Sequence, residues 1–331
     1  MRHLAIKLSF ALLLLVVIAL TLWGAAALYF DLPSTAWRLP SAVAYVLLAM
    51  GILLRSKATG TGLTLWTIPF LCVLVWWLSL KPSNYRSWQP DVAEVASAEI
   101  QGDAVTIHNL RNCDYRTEAD YTPRWENRTV HLSKLQNLDL FITYWGSPWI
   151  AHPILSFDFG DEGHVAISIE TRKEIGETYS ALRGFFRAYE LIYILSDERD
   201  VVRLRTNYRL HEEVYIYRTR ASAEISRTIF LDYLRRTNHL REHPEWYNAL
   251  TNNCTNNISA TAADAEGRAH PVDWRILLNG KADKMLYQRG DLAGDLPFPE
   301  LKRQAHINSV AHTANQASDF SRIIRRSRAG F

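Results

Sequence analysis

A chain of 331 residues is long enough for a membrane section and one sizeable domain. Its formal net charge of +3, with no basic stripe interleaved with aromatics, argues against a nucleic-acid partner. Three cysteines cannot build a disulfide framework, and without HExxH or CxxC spacing no metal or cofactor is expected.

The first elements are apolar. Leu8 to Phe30 and Ala58 to Leu80 run without a charge, and each exceeds the roughly 20 residues a helix needs to cross the hydrocarbon core. Between them Leu39 to Leu54 is shorter, with Arg38 and Arg55 placed to snorkel at its ends. The first run is longer than a signal-peptide core and two more follow, which favours a retained anchor over a cleaved leader. Residues 1–81 are therefore read as a membrane anchor with helices over about 8–30, 39–54 and 58–80. Arg2 and Lys7 flank one end of the first span, and Arg55 and Lys57 lie between the second and third. The positive-inside bias puts the N-terminus in the cytoplasm and delivers Lys81 onward to the far side. That placement depends on the second segment crossing.

Residues 82–97, which include the turn-rich PSNYRSWQP, read as a linker, and residues 98–331 as one exported domain. Two short strands are predicted around Gly102-Asp103, and a third over LDLFITYW (138–145). The clearest signal is a hairpin over 152–172, with Gly160-Asp161-Glu162-Gly163 as its turn and period-two alternation on both flanks. His152, Ile154, Ser156 and Asp158 share one face of the first strand; His164, Ala166, Ser168 and Glu170 share one face of the second. A turn centred near Asp161 sets His152 opposite Glu170 on the more polar face, about 5 Å apart between Cβ atoms. Segment 179–195 is predicted to begin as a short helix and become a strand. Asp197–Asp200 reads as a charged turn, and VVRLRTN and EEVYIYRTR as strand-like runs. A helix is predicted from Ala223 to Leu240, buried along Ile225, Ile229, Leu231 and Leu234. From Gly267 the signals weaken, and the basic run RIIRRSR (322–328) reads as a solvated end.

Asn-Asn-Cys-Thr at 252–255 places Cys254 at the start of a second helix, with Asn252 or Asn253 as its N-cap. Helix-start N–H groups and the peptide dipoles favour thiolate there. Acyl transfer by cysteine needs a thiol, an imidazole and a group that fixes the imidazole tautomer. Cys254, His152 and Glu170 fill those roles, with backbone N–H groups near Cys254 as an oxyanion hole and Ser168 and Tyr144 as polar support. His164 is the rival base, and the Asp197–Asp200 acids are a rival third group. The competing readings are a packed core cysteine, a Cys113–Cys254 disulfide, and an ordinary ion pair from Glu170 to Arg172 or Arg183.

The blocks VTIHNLRNCDYR (105–116), AHPILSF (151–157), AISIETRKE (166–174), YELIYILSDERDVVRLRTNYR (189–209) and NNCTNNI (252–258) resemble the DUF4105 family, the Lnb N-terminal periplasmic domain. The resemblance covers about Val92 to Ala265 and implies a bacterial inner-membrane protein with its C-terminal domain in the periplasm. A histidine strand upstream of a helix-start cysteine also resembles circularly permuted papain-like enzymes of the NlpC/P60 superclass, including lecithin retinol acyltransferase-like proteins. That resemblance implies an α+β domain with an antiparallel sheet and packed helices. His152 then takes the histidine slot, Glu170 the third slot and Cys254 the nucleophile slot. The third group of that superclass is often His, Asn or Gln, so Glu170 departs from the pattern.

The expectation is a membrane-anchored periplasmic cysteine hydrolase or acyltransferase. Besides the lipid bilayer, its expected partner is a cell-envelope substrate with an amide or ester bond: peptidoglycan, a lipoprotein or a lipid. The alternative is an envelope assembly or chaperone module without turnover. Substituting Cys254 discriminates the two.

Overall fold

The structure, a computed structural model, describes residues 2–56, 60–266, 275 and 279–331. It divides into two units, one formed by the residues up to Pro82 with Tyr179–Tyr189, the other by Ser83–Thr178 and Glu190–Phe331.

In the first unit, α1 (Arg2–Asp31), α2 (Thr35–Arg55) and α3 (Gly60–Ser79) are the three apolar helices expected from the sequence. Each is long and apolar enough to cross a bilayer. The expected start of the third span at Ala58 lies outside the described residues. Two tryptophans of α3 find polar partners on α1, which an environment without water favours. Trp66 Nε1 donates to Thr21 Oγ1 at 3.0 Å, and Trp77 Nε1 donates to Asp31 Oδ2 at 2.7 Å.

The second unit is built on one large sheet. Its early strands are β1 (Ser97–Gln101), β2 (Ala104–Arg111), β5 (Trp125–His131) and β6 (Asn137–Trp145). β7 (Ala151–Asp158), β8 (His164–Arg172), β9 (Glu190–Ser196) and β10 (Glu212–Arg218) complete it, while β3 (Asp114–Tyr115) and β4 (Tyr121–Thr122) pair separately. The order is β1-β2-β9-β8-β7-β6-β10, with β5 also on β2. The class is α+β as expected, but the sheet is mixed rather than antiparallel throughout: β2 meets β9 in parallel at Arg111 and Ser196.

The hairpin holds the expected register. Ile154 lies opposite Ser168 and Asp158 opposite His164. Its turn passes through Gly160 and Gly163 at φ of +64° and +85°, where a Cβ would strain the backbone. Both faces of the hairpin are covered, so the face expected to be the more polar is also buried. α5 (Ala223–Glu242) packs on the Phe157 face, with Phe230 at 4.9 Å from Phe157 and 5.1 Å from Phe159. Its buried stripe runs through Ile229, Phe230, Tyr233, Leu234 and Leu240, while Ile225 and Leu231 are half-buried at its margin.

The other face carries Ile154 and Ala166 into a core that includes Val201, Val202, Ile307 and Ile324. Two expectations are corrected there. VVRLRTN is not a strand: α4 (Glu198–Arg203) begins at Asp197, whose side chain caps Arg199 N–H, and passes into a π turn over Leu204–Tyr208. The capping signal outweighs the short period-two pattern. Nor is the basic run 322–328 merely solvated. It lies mostly in α10 (Phe320–Arg325), which follows α7 (Ala282–Arg289), α8 (Phe298–Ala305) and α9 (Asn308–Thr313). Ile324 is fully buried and Arg325 is 8% exposed, because two buried carboxylates face that arginine.

Candidate functional site

β7 and β8 bring His152, Ser168 and Glu170 together. His152 Nε2 lies 2.7 Å from Ser168 Oγ, and Ser168 Oγ donates to Glu170 Oε1 at 2.7 Å. The direct His152–Glu170 separation is 3.8 Å, so the serine hydroxyl bridges the two. The cross-strand register expected for His152 and Glu170 therefore becomes a three-residue chain.

Arg205, from the π turn after α4, holds the far end. Its guanidinium reaches Glu170 at 3.1 Å and Glu212 at 3.3 Å. Burial alone would raise the Glu170 pKa, but Arg205 first, then His152 and Arg111, more than offset it and keep the carboxyl well below its usual range. Glu170 is thus an ionised acceptor. Burial, reinforced by the Arg205 charge, pushes the His152 imidazole down to about 3 and keeps it neutral.

These facts fix the tautomer. An ionised carboxylate only accepts, so Ser168 must donate to Glu170 and accept from His152. The Nε2 atom then carries the proton, and the lone pair is on Nδ1.

Cys254 opens α6 (Cys254–Glu266). Asn253 is the cap: its Oδ1 accepts from Asn256 N–H at 3.0 Å, while its Nδ2 donates to Ala249 O at 2.7 Å. Asn252 is occupied elsewhere, donating to Glu245 Oε2 at 2.9 Å. The thiol is not the thiolate that a helix start favours. Burial pushes it up to about 11, although the Thr255 hydroxyl, the N–H groups of Thr255 and Cys254, and the Arg205 charge all draw it down. At 8% exposure desolvation wins over the helix N-terminus.

α6 packs against β7 and β8, and Arg205 acts on Cys254, His152 and Glu170 alike. A second link fixes the start of α6 to the start of β7. Asn279 Oδ1 accepts from Ala151 N–H at 2.7 Å, and its Nδ2 donates to Thr255 Oγ1 at 2.8 Å. Gly280 allows this approach, because a Cβ there would lie 2.5 Å from Pro148 O. The sulfur's hydrogen-bond contact is Thr255 Oγ1 at 3.8 Å. Among the described residues, thiol and imidazole are not hydrogen-bonded to each other.

The rival residues have other neighbours. His164 sits 3.7 Å from Asp158 at the other end of the hairpin. Asp197 pairs with Arg128, Glu198 with Arg325 and Asp200 with Arg111. Tyr144 donates to Gly280 O and Asp283 Oδ2, both at 3.0 Å. Arg172 bonds Val92 O and Ala93 O, so it is not the partner of Glu170. Cys113 and Cys254 are both free thiols.

Sequence reasoning missed Arg205 and Asn279. Arg205 lies in the VVRLRTN run, whose alternation predicts a strand, and Asn279 carries no local signal. Thr143, opposite His152 across β6 and β7, has a buried hydroxyl without a hydrogen-bond partner among the described residues, as does Arg205 Nε. No group of three or more metal-ligating side chains occurs among the described residues.

Residues 121–280, which contain this whole constellation, match the family model of the Lnb N-terminal periplasmic domain. No curated protein and no solved structure matches the chain. A periplasmic-domain match behind three helices long and apolar enough to cross a bilayer fits a membrane-anchored periplasmic protein.

Proposed function

From a periplasmic-domain match at 121–280 and three helices able to cross a bilayer, we propose a cysteine hydrolase or acyltransferase of the bacterial inner membrane, facing the periplasm. Its fold is read as permuted papain-like, its substrate as an amide or ester of the cell envelope. The observation that carries the reading is the Glu170–Ser168–His152 chain, which leaves the Nδ1 lone pair as the base.

The resting pair is a neutral thiol and a neutral imidazole. Attack forms the S–C bond as the thiol proton passes to His152 Nδ1, and the N–H groups at the start of α6 face the developing oxyanion. The imidazolium then protonates the departing amine or alcohol, leaving an acyl-thioester on Cys254. Water or an acceptor hydroxyl next gives its proton to Nδ1, attacks the thioester carbonyl and releases the thiol. For the transfer to begin, the sulfur must turn from Thr255 toward His152.

The test is labelling of the full chain with an activated acyl ester, read by intact mass and peptide mapping. One acyl group on Cys254, absent in Cys254→Ala, is the expected result. Equal acylation of Cys254→Ala sinks the reading.

One observation favours a second reading, an envelope assembly or chaperone module without turnover: Cys254 is only 8% exposed, with its sulfur turned to Thr255 Oγ1. Cys254→Ala would then preserve cellular function while deletion of residues 98–331 would not.

A further inference from the structure

The connection between β8 and β9 does not stay with the strands it joins. Tyr179–Tyr189 packs with the three apolar helices as part of their unit. Phe186 is buried in one cluster with Ala27, Tyr45 and Val73, and its ring lies 5.1 Å from Phe30. Ala27 is four residues before the end of α1, and Val73 six before the end of α3. At 1.5 Å per residue that is roughly 6–9 Å inside the helix ends.

Arg187 anchors the same segment at the rim. Its guanidinium donates to Leu78 O at 3.0 Å and Leu80 O at 2.7 Å, and stacks over Trp77 at 4.3 Å. Its backbone N–H donates to Asp31 Oδ2 at 3.1 Å. The Leu78 carbonyl in the last turn of α3 and the Leu80 carbonyl just beyond it, which water would otherwise solvate, are thereby satisfied by this segment. With Phe186 and Arg187 so held, Leu182 and Phe185 remain 58% and 41% exposed on the neighbouring 3-10 turn, and Tyr179 47%.

We propose that Tyr179–Tyr189 is a fourth membrane-contacting element, with Leu182 and Phe185 inserted at the headgroup–acyl boundary of the leaflet where α1 and α3 end. The occupant of this apolar patch is phospholipid. The patch is continuous with the lipid-facing helices, and it combines two arginines with exposed Leu, Phe and Tyr, the composition that settles at a bilayer interface. The proposal rests on α1–α3 spanning the bilayer. It goes beyond anchoring by α1–α3, since it gives the bilayer a contact from a later part of the chain.

Nitroxide labels test this in the full chain, in vesicles of mixed zwitterionic and anionic phospholipid with a Cys254→Ala background. Wild-type Cys72, exposed on α3, reports on the helices; Leu182→Cys and Phe185→Cys in Cys72→Ser report on the turn. Ala119→Cys, an exposed position of the other unit, is the aqueous reference. Labels at 182 and 185 are expected about 5–10 Å below the headgroup plane, with oxygen collisions favoured severalfold over a polar nickel chelate relative to position 119. Nickel accessibility at 182 and 185 equal to that at 119, with Cys72 still in lipid, overturns the proposal alone. Nickel access at Cys72 as well overturns the spanning reading beneath it. Dipolar broadening between labels at 182 would assign the patch to a second copy and also overturns the proposal.

Discussion

The two ends of the β7–β8 hairpin carry similar ingredients arranged to opposite effect. At one end Ser168 donates to half-buried Glu170, which is held by Arg205; at the other Ser156 donates to buried Glu198 at 2.5 Å, which is held by Arg325. In the second cluster Arg325 also pairs with Asp139 at 2.8 Å, and Arg218 closes on Asp139 at 2.5 Å. Each carboxylate there meets a guanidinium, and the chain of bonds ends on charge. In the first cluster the chain ends on an imidazole instead, with the lone pair on Nδ1, on strands that α6 covers. A serine–carboxylate–arginine set is therefore not a site by itself. The proposed role rests on the histidine hydrogen-bonded at its end.

His152→Asn breaks the first cluster at that point. Removal of a general base should lower the rate of Cys254 acylation by about 10²–10⁴-fold. Single-turnover kinetics with the activated ester measure this, and a rate within a factor of about 3 of wild type would deny His152 the role. Arg325→Met breaks the second cluster. It leaves Glu198 and Asp139 buried with a guanidinium removed, at a cost of about 3–5 kcal/mol of stability in urea titration of the detergent-solubilised chain. Acylation by the fraction that remains folded should keep its rate.

Much of this contrast was legible beforehand. The hairpin register, the helix-start cysteine and the three apolar helices all follow from local patterns: turn glycines, Asn253 before Cys254, and uncharged runs. Arg205 was not legible, because its π turn replaces a segment whose alternation mimics a strand. The destination of DERD was hidden for a different reason. Its acids meet Arg128, Arg325 and Arg111, up to 127 residues away, and no short-range rule encodes that. Ser168 was read only as polar support, since register places His152 opposite Glu170 while side-chain reach inserts the hydroxyl between them. Local chemistry specifies elements; long-range ion pairs specify which ends of them are closed.

Acid sharpens the comparison next. The folded His152 titrates near 3 against an ordinary value of 6.5. Between those values the unfolded chain binds a proton that the folded chain does not, so this contribution to stability is complete above 6.5 and fades as pH falls toward 3. The depressed Glu170 carboxyl adds a loss of the same sign below its ordinary value of 4.5. His152→Asn should therefore lose less stability than wild type between pH 7 and pH 5 in paired urea titrations (about one histidine's worth of linkage). Equal losses would mean that His152 is not held neutral by burial.

The two serines give the smallest and most discriminating effect. Each is buried and donates to a carboxylate, so Ser156→Ala and Ser168→Ala should both cost about 1–3 kcal/mol of stability. Only Ser168 also accepts from a histidine. Without its hydroxyl, Nε2 loses its acceptor and the preference for the Nε2–H tautomer weakens, which lowers the fraction of imidazole with its lone pair on Nδ1. Ser168→Ala should then slow acylation by about tenfold, equivalent to roughly 1.4 kcal/mol, with little change in the ester's apparent KM. Ser168→Thr, which keeps the hydroxyl, should recover most of that rate, whereas Ser156→Ala should not move it at all. An equal rate loss in Ser156→Ala and Ser168→Ala would mean that both serines act only through stability, and the imidazole at the end of the chain would lose its claim to be oriented for chemistry.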